Sequence, residues 1–130
     1  TGRLFGGPEK APVDVERFAA ATSLAEAHLN TTIGAVLTDA PITKAQAKRL
    51  ALAGHDGIAR AVRPAHSPLD GDAIFAASSS AAGTAPNVDA EGLASLSAAA
   101  ADAVEAAIVD AVVSASPGLG LEAYSSLVSC

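Results

Sequence analysis

Asn30-Thr31-Thr32-Ile33-Gly34-Ala35-Val36-Leu37-Thr38 is the stretch whose reading sets the fold. Thr32 to Thr38 is short, apolar and rich in β-branched residues, which reads as a buried strand. Asp39-Ala40-Pro41 ends it, because proline cannot donate to a strand ladder. Downstream, Thr43 stands three residues before Gln46, a capping-box pattern that opens a helix. Leu50, Ala51, Gly54, Ile58 and Ala61 mark its buried face, and Pro64 stops it. Gly54 and Gly57 inside a helix each cost about 1 kcal/mol relative to Ala. Close approach of another backbone is the expected compensation. Asp72 to Ser78 reads as a second strand entered from a Gly turn, and Ser78 to Asn87 as a small-residue loop. Val88 to Ser116 is a long helix closed by Pro117-Gly118, and residues 119–130 carry no pattern that places them.

Upstream, residues 1–13 read as loop. Asp14 to Leu29 reads as a helix, with Val15, Phe18, Ala19, Thr22 and Ala25 at roughly three- and four-residue spacing. It is either an ordinary surface helix or an Ala-rich lead into the Asn30-Thr31 segment. No internal repeat interrupts the order of strand, helix, strand, helix. That order predicts an α/β or α+β layered fold, with helices covering a sheet.

Half of the 130 residues are apolar and the mean hydropathy is +0.35, enough to supply a core. Three Phe and one Tyr are the only aromatics, however, so the core is built from small side chains and buries little area per residue. The net charge is −6 and the basic residues form no aromatic-rich patch, which argues against a nucleic-acid partner. Leu93 to Ala115 is the longest apolar stretch, but Asp102, Glu105 and Asp110 interrupt it at helical spacing. Carboxylates in a bilayer core cost about 2.5 kcal/mol or more each, so no membrane span is expected. The single cysteine, Cys130, leaves no internal disulfide and fits a reducing, cytoplasmic setting.

Asn30-Thr31 offers a chemical reading. If that bond breaks, Thr31 becomes an N-terminus that carries a hydroxyl nucleophile and its own amine base. An α-amine has an unperturbed pKa of roughly 7.7–8.0, so it can take up the hydroxyl proton near neutral pH. The bland alternatives are a strand-entry threonine and, for Asn30-Thr31-Thr32, a glycosylation pattern. Forty residues on, Asp70-Gly71-Asp72 presents two carboxylates two apart, which an extended chain turns to one face. Two carboxylates so close should have their pKa values pushed apart, one of them raised. The alternative there is a polar Asp-Gly turn. His66 with Asp70 and Asp72 also invites a zinc reading, though the spacing suits zinc poorly. His55, mid-helix, reads as a packing or hydrogen-bonding residue.

Asn30-Thr31-Thr32-Ile33-Gly34, Thr43-Lys44-Ala45-Gln46-Ala47, His55-Asp56-Gly57-Ile58-Ala59-Arg60-Ala61, Arg63-Pro64 and Asp70-Gly71-Asp72-Ala73-Ile74-Phe75-Ala76 stand in this order along the chain. Together they resemble the C-terminal part of the P1-family peptidases. That family holds L-aminopeptidase/D-Ala-esterase/amidases, β-aminopeptidases and nylon-oligomer hydrolases. The resemblance implies an α/β sandwich with two sheets between helical layers, incomplete in this fragment. It also implies a precursor that cuts itself once. Residues 1–30 would then be the end of the α chain and the cleavage linker, and residues 31–130 a β chain beginning at the nucleophile. Thr31 matches the nucleophile, Asn30 the last residue before the cut, and Asp70 and Asp72 the acidic pair of the nylon-oligomer branch.

The β-aminopeptidase branch has Ser and Glu at that pair, with Ser as nucleophile. The family's usual Thr-Gly is replaced here by Ser78-Ser79-Ser80, which alters the expected pocket. The implied activity is hydrolysis of small amide, peptide or ester substrates, with no cofactor or metal. The implied partner is the missing α-chain portion of the same precursor, with several αβ units assembling into an oligomer. The α-chain Tyr, Asn and Lys of the family have no counterpart to match here. A fragment with two strands and two good helices is expected to melt with little cooperativity and to be inactive alone. An acyltransferase of the ornithine-acetyltransferase type, which also cuts itself before Thr, is the first rival, and Asp70-Gly71-Asp72 argues against it. A non-catalytic α/β binding domain is the second.

Overall fold

The structure is a computed structural model, and it describes residues 14–23, 31–81 and 83–128. Asn30 and Cys130 lie outside the described residues. The elements are α1 (Val15–Ser23), β1 (Ile33–Thr38), α2 (Lys44–Ala61), β2 (Ala73–Ser78), α3 (Ala90–Ser114) and α4 (Tyr124–Leu127). The chain divides into two compact units, Leu29–Ile108 being one and Thr1–His28 with Val109–Cys130 the other.

In the larger unit β1 and β2 pair in parallel, with Ile33 opposite Ala73 and Thr38 opposite Ser78. A parallel pair needs a crossover, and α2 supplies it. Thr43 caps α2: its hydroxyl accepts from Gln46 N at 3.1 Å, while the Gln46 side chain accepts from Thr43 N at 2.8 Å. Gln46 does a second job, donating to the Val88 carbonyl at 2.7 Å and so tying α2 to the approach to α3. The helix closes at Val62, whose N–H still reaches the Ile58 carbonyl, shortly before Pro64.

The strands alternate strictly. Val36 and Ile74 turn toward the helices and are buried. They join Leu50, Ile58, Ala100 and Val104 in one cluster, in which Leu50 and Ile58 are the largest fully buried side chains. Truncating either to Ala should cost about 2–5 kcal/mol. The expected backbone approach is present at Gly57, whereas at Gly54 the close neighbours are side chains. A Cβ on Gly57 would collide with the Ala101 carbonyl oxygen and sit 2.9 Å from Glu105 N, so α3 rests on α2 there. A Cβ on Gly54 would lie 2.9 Å from Ile74 Cγ2, so the sheet presses close there. Arg60 adds a pair to Asp102 at 2.5 Å, but both side chains are near half-exposed, and such pairs are worth about 0–1 kcal/mol.

The expectation of a buried β1 needs correction. Ile33, Leu37 and Phe75 project from the opposite face and are 72%, 77% and 65% exposed. Both helices of this unit lie on one side, so an apolar run that reads as doubly buried is covered on one face only. In the smaller unit, the Asp14 side chain caps α1 by accepting from Glu16 N and Arg17 N. The C-terminal stretch, which carries no placing pattern in sequence, holds α4, where Ser126 Oγ accepts from Ala123 N and donates to the Ala123 carbonyl. Among the described residues no helix is long and apolar enough to cross a membrane.

Candidate active site

Extending the β1–β2 register backward by two residues sets Thr31 opposite Gly71 and Thr32 opposite Asp72. The contacts agree. A Cβ on Gly71 would lie 2.8 Å from Thr31 Oγ1, so the absence of a side chain there is what admits the hydroxyl. The Ala73 N–H donates to the Thr32 carbonyl at 2.9 Å, and the Thr32 N–H donates to Asp72 Oδ1 at 2.9 Å. Asp72 therefore fixes the peptide unit that joins Thr31 to Thr32. Thr31 itself is exposed at the strand head.

Asp72 has a second partner. Its Oδ2 lies 2.8 Å from His66 Nδ1. The Thr32 N–H holds the Asp72 carboxyl below the usual carboxylate range. Desolvation works the other way, and the Thr32 hydroxyl and His66 add to the lowering. The shift at Asp72 is thus downward and comes from donors on β1 and His66.

Asp70 is placed differently. Its Oδ2 accepts from Ser67 N at 2.7 Å, and its own N–H donates to the Ser67 carbonyl at 3.0 Å. Asp70 closes the turn that delivers Gly71 and Asp72. Alternation of side chains holds only in extended chain, and the turn ends at Asp70, so the two carboxylates take separate partners. The zinc alternative would need His66, Asp70 and Asp72 gathered on one point. Among the described residues no group of three or more His, Cys, Asp or Glu is so gathered. His55 gives its carbonyl to His66 Nε2 at 3.3 Å, and the two rings lie 5.0 Å apart. Thr32 is the participant that motif reading overlooked, since it acts through its backbone N–H. The register alone would have revealed it.

Comparison with known proteins gives this geometry a context. The model of peptidase family S58 matches residues 5–124. A protein described as an uncharacterized aminopeptidase in Mycobacterium tuberculosis is 38% identical over 106 residues, which cover 75% of this chain and 31% of that protein. A similarly described protein of Mycobacterium leprae is 39% identical over 107 residues, covering 76% of this chain and 30% of that one. The chain belongs to peptidase family S58, in keeping with the P1-family resemblance of its motifs. It spans about a third of the length of the curated relatives it matches.

Proposed function

We propose that the protein is a self-processing amidohydrolase or aminopeptidase in which Thr31 is the nucleophile. The observation that carries this reading is the Thr31 hydroxyl seated over Gly71, beside a peptide unit pinned by Asp72, in a chain of a peptidase family. In maturation the Thr31 hydroxyl attacks the Asn30 carbonyl carbon. The C–N bond breaks, the Thr31 amine is released, and an ester links Asn30 to Thr31 Oγ1. Water hydrolyses that ester, leaving an Asn30 carboxylate and a free Thr31 bearing both hydroxyl and amine.

With a substrate, the amine takes the hydroxyl proton as Oγ1 attacks an amide or ester carbonyl. The leaving amine or alcohol departs with that proton, and water then clears the acyl-enzyme. Asp72 orients Thr31 through the Thr32 N–H, and Asp70 holds the turn that brings Asp72 there. The oxyanion hole that the tetrahedral intermediate needs comes from the rest of the precursor, the proposed α chain. Small aminoacyl or ω-amino-acid amides, peptides and esters are the proposed substrates. A cytoplasmic oligomer of αβ units is the proposed working form.

Mass spectrometry of the full-length gene product tests the scheme. Two chains are expected, the smaller beginning at Thr31. Thr31→Ala should leave one uncut, inactive chain, and Thr31→Ser should still cut. A wild-type protein that stays whole and is fully active sinks the proposal.

A further inference from the structure

Resting on that reading of Thr31, we infer that His66 is a positioning residue, which locks Asp72 onto the Thr32 N–H and so anchors the nucleophile to α2. Asp72 is nearly buried, with 7% of its side-chain surface exposed, and a buried carboxylate needs donors on both oxygens. Thr32 N serves Oδ1 at 2.9 Å, and His66 Nδ1 serves Oδ2 at 2.8 Å. An ionised carboxylate only accepts, so the Nδ1 proton points at Asp72. On the far side of the ring Nε2 lies 3.3 Å from the carbonyl of His55 on α2, and it donates to that carbonyl when the ring carries both protons. The chain of contacts runs from α2 through His66 and Asp72 to the peptide that follows Thr31.

The backbone at His66 supports an assigned role. Its φ is +57°, a left-handed conformation that residues with side chains adopt at a cost, although His, Asn and Asp tolerate it better than most. Such strain persists where surroundings fix the residue, and the two ring contacts do so. Nothing in the hydrolytic chemistry requires this imidazole to touch substrate. Its contribution is to remove a rotational freedom from Asp72, which a floppy carboxylate would carry into Thr32 and Thr31.

The test uses the full-length protein and two variants matched to that backbone. His66→Gly removes the ring and accepts the left-handed φ, whereas His66→Asn accepts it and keeps an N–H near the Nδ1 position. Three quantities are read: the rate of cutting before Thr31, turnover of alanyl and 6-aminohexanoyl p-nitroanilides, and hydrogen exchange at the Thr32 amide. His66→Gly should cut and turn over about tenfold more slowly with KM nearly unchanged, because misplacement lowers kcat. Its Thr32 amide should exchange faster, and His66→Asn should recover most of both losses. Cutting, turnover and Thr32 exchange in His66→Gly all equal to wild type would overturn the inference. So would equal defects in the Gly and Asn variants, which would assign the effect to ring bulk.

A wild-type protein that never cuts defeats the proposed function separately, and Thr32 exchange in the two variants then judges the positioning role on its own. If His66→Gly does not fold, the wild-type protein still decides. Its His66 Nδ1 proton should appear in 15N-edited NMR spectra and shift in Asp72→Asn. No such signal, or one indifferent to Asp72→Asn, overturns the contact.

Discussion

At the amino end of the β1–β2 pair one carboxylate, Asp72, reaches across forty residues of sequence to Thr32 and also holds His66. At the carboxyl end the same two strands are tied by a neutral hydroxyl and a backbone bond, with a second hydroxyl closing a local turn. The Ser78 hydroxyl donates to the Ala40 carbonyl at 2.7 Å, and the Thr38 hydroxyl accepts from Ala40 N at 3.1 Å. The Ser79 N–H donates to the Thr38 carbonyl at 2.8 Å. Both ends pair backbone groups between the two strand segments. Only the amino end does so with a charge, beside an exposed hydroxyl and a glycine whose Cβ would press on that hydroxyl. In open parallel sheets ligands usually bind beyond the carboxyl ends of the strands. Here the residues of the proposed site, Thr31 and Asp72, lie at the opposite end of the strand pair.

The contrast is broken most forcefully at Asp72. Asp72→Asn keeps an acceptor for Thr32 N but loses the charge and turns an N–H toward His66, and the resulting misplacement of Thr31 should lower turnover of a small amide by the full-length protein roughly 100-fold. Ordinary activity in a folded Asp72→Asn protein would erase the distinction between the two ends. Gly71→Ala comes next. Its new methyl would press on Thr31 Oγ1, and a displaced nucleophile should slow chain cutting about tenfold, followed by gel or mass measurement. Asp70→Asn should matter less, because an amide oxygen can still accept from Ser67 N; kinetics should register roughly a threefold change or smaller.

Titration should show the same asymmetry. Asp72 has a lowered folded-state pKa, so its stabilising effect is present above the unfolded value of about 3.9 and is lost as pH falls through the folded value. Protection of the Thr32 amide, measured against its intrinsic exchange rate, should therefore fall below about pH 4 in the wild type and lose that dependence in Asp72→Asn. At the carboxyl end, Ser78→Ala should cost about 1 kcal/mol in denaturant unfolding, the worth of a part-buried hydrogen bond, and leave activity alone. A large loss of activity there would move the centre of the site.

The local elements were legible because their signals are local. Thr43 with Gln46, the glycines of α2 and Pro64 each constrain a few neighbours, and the helix results. The acidic block and Thr31 stood out for the same reason. What did not show was the pairing of Thr32 with Asp72, since parallel register joins residues forty apart and no short pattern encodes it. The separation of Asp70 from Asp72 was hidden too, because the Ser67–Asp70 turn interrupts the alternation that would put both on one side. The uncovered face of β1 escaped because Ile33 and Leu37 are as apolar as the buried Val36. Hydropathy records that a face prefers burial, and says nothing about whether a neighbour within this chain provides it.

That uncovered face has a calorimetric consequence. Unfolding raises the heat capacity mainly by exposing apolar surface, with a net gain of about 12–15 cal/mol/K per residue in ordinary domains. Ile33, Leu37 and Phe75 are already wet in the folded state and add little to that gain. The larger unit should therefore show a shallow stability curve, with less cold-side fall-off than its length suggests. Whatever covers those side chains would steepen the curve, and scanning calorimetry would register the covering as added heat capacity even where the midpoint hardly moves.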